Sequence, residues 1–585
     1  MRPGDLLILA LVVALLTSIG ELALIALQKY VLGYPQRMSA SVVWMTPVAV
    51  AIIFAVPATL LLSLSRLWPR FAHMTVVCAV FVFLGSLSVL LVERRLSFWA
   101  LVLLSLGIAV QTGRLATRYR PQVMRIVRLA AAVLVACVLL MAATVEIGLA
   151  AAEQRRETGQ SAAREGSPNV LFIILDTVRA ISLSLYGYDR PTSPNLERLA
   201  ERGVVFERAI VPGTWTLPSH ASMLTGRWPH ELSGWFNSRE SPAPFPTLAH
   251  VLGQHGYRTG GFVGNWYHLG RESGLSDGFN HYSDLHKSPA QIARCSALVR
   301  WLVERRQFRR MFGLYETLGR RRAPSVSSTF LQWVDEDSSR QFFAFLNYFD
   351  AHSPYLPPAP FNAKFGSDVA DREPIVIEEL NRVAGDAETI RKERDAYDSG
   401  IAYLDDRIGK LLDELEQRGL LENTIIIVGA DHGEEIGEHG RFGHAYSLYS
   451  ETIHVPLIIV VPGGPRGLRV PAPVSLRNIP ATIADLAGLS SSLFAGGSLA
   501  RYWRDENTAS DTVLTVFDTH RSLFTDRYHY FTGVLDRREH LFDFLRDPRE
   551  RYDLMGTPEA ERVLPMIRAT LAAVAPPRPS DRSLG

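Results

Sequence analysis

Three apolar runs in this chain end in residues that can bind a metal. Asp176 follows Val170–Leu175, the pair Asp431 and His432 follows the run 424–430, and Asp350 and His352 follow Phe342–Tyr348. One Asp after a strand is ordinarily a turn or capping residue. Carboxylates and imidazoles at three strand ends together match the donor set of one divalent cation with oxygen and nitrogen ligands. A fourth segment, 214–226, adds a hydroxyl. Pro218 can open a helix that closes at Gly226, which puts Thr216 at the helix N-terminus. A hydroxyl there meets unpaired backbone N–H groups and the positive end of the helix dipole. Beside a cation it becomes a nucleophile; the plain alternative is an N-capping threonine.

The elements that would position these groups are legible from Ser167 onward. Strands are expected at Val170–Leu175, Phe342–Tyr348, 424–430 and 455–461, and helices at 193–202, 246–256, 393–419 and 478–488. Such alternation predicts an α/β sheet with helices on both faces. Ligands of that architecture gather beyond the carboxyl ends of the strands, where the polar residues above fall.

The first 150 residues are different in kind. Apolar stretches at about 6–28, 42–64, 73–92, 97–113 and 128–150 each approach the ~20 residues that cross a ~30 Å hydrocarbon layer. A signal peptide accounts for the first stretch alone. Alternate connections carry Arg2, then Arg66 and Arg70, then Arg114, Arg118, Arg120, Arg125 and Arg128; the other set carries Lys29, Arg37, Arg94 and Arg95. The arginine-rich set is expected on the cytoplasmic side, with the N-terminus inside and everything after residue 150 outside. Glu21 lies within the first stretch, either as a functional carboxylate or as one that simply snorkels or pairs with another helix. Residues 151–166 are polar and read as a linker.

Composition narrows the function classes. The chain has 585 residues and a formal net charge of +2, so no global field points to nucleic acid. Three cysteines exclude a disulfide scaffold and a cysteine-based zinc site. The stretch 294–322 holds nine arginines among apolar residues; it reads either as a surface for anionic lipid or as a solvated helix face. Glu434 and Glu435 read either as groups that bond the residues around the metal or, the preferred reading, as helix-start or solvent-facing residues; His454 reads as structural, and His439 as a loop residue within reach of substrate. Asp350 either orients His352 or caps a turn.

The segments Asn169–Arg179, Thr216–Gly226, Gly429–Glu434 and His454–Ile458, with Tyr397–Asp405, Ile479–Gly488 and Leu541–Pro548, resemble sulfatase-like members of the alkaline phosphatase superfamily, in the family's order over about 167–570. The resemblance implies a sulfatase-like sheet with helices on both faces. The implied boundaries are a five-helix transmembrane domain over 1–150, a linker over 151–166, a catalytic core over 167–490 and a small C-terminal subdomain over 491–585. It implies Asp176, Asp431, His432 and Thr216 as metal ligands, with Thr216 also the nucleophile. His352 and His444 fall on positions that serve the transferred group and the leaving oxygen. Asn237 matches an anion-binding asparagine, and His220 stands where the family has a substrate-facing arginine.

Two departures shape the expectation. Sulfatases carry at the nucleophile position a Cys or Ser that is matured to formylglycine; Thr216 is no substrate for that conversion. The second acidic position holds Thr177. Two Asp, one Thr and one His suit zinc or manganese better than calcium, which takes six to eight oxygens. With the apolar half, this looks like the phosphoethanolamine and phosphoglycerol transferases of bacterial inner membranes. The expected function is transfer of a phospholipid-derived phospho-headgroup to an envelope glycan or lipid through a covalent Thr216 intermediate. The alternatives are a sulfuric or phosphoric ester hydrolase with the same site and a non-catalytic membrane receptor. The partners implied are the lipid bilayer and phospholipid or glycan esters, with no nucleic acid.

Overall fold

The structure, a computed structural model, describes residues 1–34, 39–93, 96–159, 161–232, 245–284, 287–316, 320–366, 386–505, 508, 511 and 513–575. It comprises two compact units: Met1–Arg156 with Leu285–Gly319, and Glu157–Asp284 with Arg320–Gly585.

The first unit is built on α1 (Pro3–Ala26), α2 (Val42–Leu67), α3 (Met74–Leu90), α4 (Phe98–Arg118) and α5 (Arg120–Thr158). Four of them are long and apolar enough to cross a membrane; α3, with 17 residues, falls short. At ~1.5 Å per residue it spans about 26 Å against a ~30 Å core. Five full spans were expected, so the third is the correction. A 3₁₀ turn over Pro69–Ala72 precedes it and a turn at Leu91–Val92 follows it, trimming the helix at both ends. A second correction concerns residues 151–166, where α5 continues as helix to Thr158.

The second unit centres on a mixed sheet. Its strands are β1 (Asn169–Leu175), β2 (Val204–Ile210), β3 (Arg258–Val263), β4 (His281–Ser283), β5 (Phe342–Tyr348) and β6 (Thr424–Gly429), and, after the short hairpin β7 (Glu435–Ile436) and β8 (Phe442–Gly443), β9 (His454–Val455), β10 (Leu457–Val460) and β11 (Leu468–Ser475). The order is β11-β2-β10-β6-β1-β5-β3-β4, with β9 on β2. β10 runs antiparallel to both neighbours, whereas β6, β1, β5, β3 and β4 pair in parallel. All seven residues of β1 are buried, the pattern of a strand covered on both faces. A separate antiparallel sheet, β12 (Val513–Phe517), β13 (His520–Phe524), β14 (Tyr528–Thr532) and β15 (Glu539–Asp543), forms the C-terminal part.

Among the described residues, and leaving aside four-residue turns of helix, the helices in chain order are α6 (Pro194–Ala200), α7 (Thr216–Thr225) and α8 (Leu248–Gln254). Three short ones follow, α9 (Pro289–Arg294), α10 (Ala297–Val303) and α11 (Arg306–Phe312). The rest are α12 (Ala323–Glu336), α13 (Ala387–Gln417), α14 (Ile479–Leu486) and α15 (Pro558–Val574). α13 carries two side chains that fix the sheet's loops. Asp405 accepts from the backbone N–H groups of Asn195 (3.0 Å) and Leu196 (2.9 Å), capping α6, and Tyr397 donates its hydroxyl to Thr177 O at 2.7 Å.

The helices α9, α10 and α11 belong to the first unit. After β4 the chain leaves the sheet, packs on the apolar helices and returns at Arg320. Ala297 is buried with Leu87, Leu91 and Leu101, and the Trp301 ring stacks on Phe98 with centroids 4.5 Å apart. The Glu21 carboxylate accepts from Ser88 Oγ at 2.5 Å and from the Ala297 N–H at 3.1 Å. Of the readings of Glu21, pairing is the observed one. The stretch 294–322 is therefore no single solvated helix.

A candidate metal centre beside a threonine hydroxyl

Neighbouring parallel strands deliver the site from their carboxyl ends. Asp176 follows β1, and its N–H bonds Tyr348 O at 2.9 Å, extending the β1–β5 ladder by one residue. Thr177 then adopts φ +62°, a left-handed conformation costly for a β-branched residue. That turn aims the Thr177 N–H at Asp431 Oδ1 (3.3 Å), while its hydroxyl donates to Asp176 O at 2.7 Å. Asp431 and His432 follow β6 and Ala430. Asn265 follows β3 through Gly264, where a Cβ would come within 3.0 Å of Asn347 O and 3.1 Å of Phe349 Cβ.

Asp176, Asp431 and His432 are fully buried, with one ligand atom of each lying within 4.8 Å of the others. Asp176 Oδ1 and Asp431 Oδ2 have no hydrogen-bond partner among the described residues. His432 donates its Nδ1–H to Gly433 O (3.0 Å), so Nε2 keeps its lone pair, 3.4 Å from Asp431 Oδ2 and 3.4 Å from Thr216 Oγ1. Thr216 is the first residue of α7. Asn265 bridges the cluster to it: Nδ2 lies 2.9 Å from Asp176 Oδ2 and 3.4 Å from Thr216 Oγ1.

The electrostatics describe an unfinished charge set. Burial first, then the neighbouring Asp431, pushes Asp176 up to about 7. Burial likewise raises Asp431 to about 7 and pulls His432 down to about 4. Two carboxyls with orphaned oxygens beside an imidazole lone pair and a hydroxyl are what a divalent cation completes, because it repays the desolvation of both acids at once. The residues present fit such an ion.

Two more histidines adjoin. The His444 ring lies 4.3 Å from the His432 ring between centroids, and the His352 ring lies 5.2 Å from that of His444. His444 Nδ1 pairs with Glu434 Oε1 at 2.8 Å. Against the cost of burial, Glu434 and then Asp176 and Asp431 hold its imidazole above the usual value. His352 donates Nδ1–H to Ser353 O (2.8 Å), and burial keeps it well below the usual range. Arg320 holds the same loop through His352 O (2.5 Å), Ser353 O (3.0 Å) and Pro354 O (3.1 Å).

The structure thus gathers Asp176, Thr216, Asp431, His432, His444 and His352. His220 lies on the inner side of α7, fully buried: Nδ1 is 2.8 Å from Thr216 O and 3.5 Å from Asp431 Oδ2, and its ring meets Phe345 edge-on. Asn237 lies outside the described residues. Asp350 accepts from the Ala323 N–H (2.9 Å) at the start of α12, a capping role. His454 bonds Glu207 O (2.8 Å), and His439 stacks on Tyr449 with centroids 3.6 Å apart. Sequence reasoning missed Asn265 and misjudged Glu434, which is fully buried against His444 rather than solvent-facing. Applying the strand-end rule to residues 258–263 would have found Asn265.

The family model described as Sulfatase matches residues 168–489. The choline-sulfatase of Rhizobium meliloti (strain 1021) is 25% identical over 460 residues, covering 70% of this chain and 85% of its own. The arylsulfatase of Clostridium perfringens (strain 13 / Type A) is 26% identical over 459 residues, 69% of this chain and 93% of its own. Among solved structures, the phosphonate monoester hydrolase of Agrobacterium radiobacter shares the fold with a TM-score of 0.53 at 20% identity, over 70% of this chain and 95% of that one.

Proposed function

The chain belongs to the sulfatase family, and we propose that it hydrolyses phosphoric or sulfuric esters with Thr216 as a covalent nucleophile. The observation that carries this reading is the Thr216 hydroxyl, 3.4 Å from both His432 Nε2 and Asn265 Nδ2 at the edge of the acidic cluster. A divalent cation held by Asp176, Asp431, His432 and the Thr216 oxygen would supply a Lewis acid that acidifies the hydroxyl and offsets charge on the ester's non-bridging oxygens. The donor set favours zinc or manganese over calcium.

The residues divide the remaining work. Thr216, deprotonated at the α7 N-terminus, forms a bond to phosphorus as the bond to the leaving oxygen breaks. His444, kept protonated by Glu434, gives its proton to that oxygen. A water molecule then passes a proton to His444 and bonds to phosphorus, and the bond to Thr216 breaks, restoring both groups. Asn265 fixes the orientation of Asp176 and Thr216 together, and His352 presents its free Nε2 to the transferred group. Thr216 carries a methyl on Cβ, so it cannot become the aldehyde that expels sulfate from a hemiacetal. Its covalent intermediate is an ordinary ester, which favours phosphate over sulfate.

A second reading is supported by the N-terminal apolar helices: the donor is a phospholipid, and an envelope glycan or lipid alcohol replaces water in the second step. This reading counts the short α3 as a fifth crossing, so that the N-terminus is cytoplasmic and the catalytic unit lies on the opposite side of an inner membrane.

The test is turnover of an aryl phosphodiester, an aryl phosphate and an aryl sulfate, with Zn²⁺ or Mn²⁺, by the wild type and by T216A. Phosphodiester turnover that T216A abolishes while keeping its fold is the expected result. Activity retained in T216A removes the threonine from the mechanism. Label from a phospholipid headgroup appearing on an added alcohol, rather than as free headgroup phosphate, selects transfer.

A further inference from the structure

The excursion over residues 285–319 is assigned no role by the chemistry above. Among the described residues its contacts gather at one end of the apolar bundle. Lys287 pairs with Glu146 of α5, which also accepts from Ser41 Oγ (2.9 Å) and Trp44 Nε1 (2.8 Å) at the start of α2. Ala297 and Trp301 sit against the end of α3 and the beginning of α4, and Glu21 reaches Ala297 from the second half of α1. This is the end at which α1 and α3 finish and α2 and α4 begin. For helices that span a bilayer it is headgroup depth.

What the excursion adds there is charge and apolar surface together. Residues 285–319 contain Lys287, Arg294, Arg300, Arg305, Arg306, Arg309 and Arg310 against Glu304 and Glu316 alone. Most of these sit on or beside α11. Arg305, Arg306 and Arg310 are exposed there, and the same short helix exposes Met311 at 72% and Phe312 at 59%. The Phe308 and Phe312 rings pair at 4.7 Å, and Arg305 lies over the Trp301 ring at 4.7 Å. Basic side chains interleaved with exposed aromatic and thioether groups are the composition of a segment lying in a membrane interface. A solvent-facing helix would have no use for two large apolar residues this open. A protein partner would have to displace lipid from the rim of the bundle.

We propose that residues 305–312, held at headgroup depth by the Trp301–Phe98 and Ala297–Glu21 contacts, bind anionic phospholipid headgroups of the leaflet in which that end of the bundle lies. The interaction is charge against phosphate, with Met311 and Phe312 entering the acyl boundary. It does not depend on the ester chemistry; it depends on the apolar helices spanning a bilayer.

The experiment uses the full chain in neutral detergent micelles doped with dansyl-phosphatidylglycerol or dansyl-phosphatidylcholine, read by energy transfer from tryptophan. The wild type is expected to enrich phosphatidylglycerol at least about tenfold over phosphatidylcholine, each basic group near the lipid surface adding severalfold. Raising the salt to ~1 M should erase most of that preference. Replacing Arg305, Arg306, Arg309 and Arg310 by Gln abolishes it, and replacing them by Lys retains it. If the fourfold Gln variant does not fold, R306Q and R310Q carry the test, each losing severalfold. Equal enrichment of the two lipids by the wild type overturns the proposal. So does a preference that survives the Gln replacements, or one that follows Arg114, Arg118 and Arg125 at the opposite end.

Discussion

Glu434 Oε1 stands 2.8 Å from His444 Nδ1, pairing a fully buried carboxylate with an imidazole that keeps 11% of its side chain exposed beside the acidic cluster. Glu434 raises the His444 imidazole against the cost of its burial, so replacing the acid should move a pH profile before it moves the fold. In E434Q the imidazole loses the partner that holds it up. Its protonated form, and with it the general acid, disappears at lower pH. The alkaline limb of kcat/KM for an aryl phosphodiester should shift toward acid, with a loss of about 10–100-fold at neutral pH. An unshifted limb would show that His444 does not supply the proton.

Asn265 touches both Asp176 and the Thr216 hydroxyl, and its own N–H is held by Asn347 Oδ1 at 2.9 Å. The backbone anchor survives truncation of the side chain. N265A should therefore fold, lower kcat by about tenfold or more, the cost of losing one oriented hydrogen-bond donor, and leave KM nearly constant. A changed KM with constant kcat would place Asn265 in substrate binding instead.

Cation binding should depend steeply on pH. Asp176 and Asp431, each pushed up to about 7 without an ion, bind protons below that value, and those protons compete with the metal. Zn²⁺ affinity measured by calorimetry is expected to rise from pH 6 to 8 with proton release, then level off. D431N should lose binding outright. One metal per chain is expected, and its removal by a chelator should abolish turnover reversibly.

Stability at acid pH turns on a pair away from the nucleophile. Glu438 Oε1 lies 3.1 Å from the buried Arg179 Nη1. Burial works against the carboxylate, but Arg179 outweighs it and draws Glu438 down to about 2. Because the folded value lies below the unfolded one, the stabilisation is complete above the ordinary carboxylate range and is lost as pH falls through about 2. E438Q leaves Arg179 buried without this charge and should cost about 3 kcal/mol at pH 7. Chemical denaturation in detergent measures it; a loss below ~0.5 kcal/mol would mean that Arg179's bonds to Ser182 and Glu434 O suffice.

The sheet strands and helices expected from the sequence lie within a few residues of those observed, except that α13 begins at Ala387, six residues before the expected start at 393. Asp176, Asp431 and His432 were legible because the parallel strands β1 and β6 send their carboxyl ends to the same edge of the sheet, and Thr216 because Pro218 and Gly226 bracket a helix that starts at it. Asn265 was hidden by its own strand. The run 258–263 is not among the expected strands; it contains Gly260 and Gly261, where a Cβ on Gly261 would strike the Tyr282 ring and one on Gly260 the Phe262 ring at 2.8 Å. Those glycines serve packing, not chain reversal. Glu434 was misread because its partner, ten residues on, is reached only through the β7–β8 hairpin. The excursion was beyond any local pattern, since Ala297 and its carboxylate acceptor Glu21 are separated by 276 positions.

That last separation orders how the molecule is made. The apolar bundle waits, with the Glu21 carboxylate unmet by Ala297, until the ribosome has passed the excursion and β1–β4 of the sheet have already been synthesised. Anchor and enzyme are therefore not consecutive beads, and a truncated enzyme starting at residue 167 would carry Trp301, Met311 and Phe312 into water. Such a fragment should clump unless the loop is excised between Asp284 and Arg320.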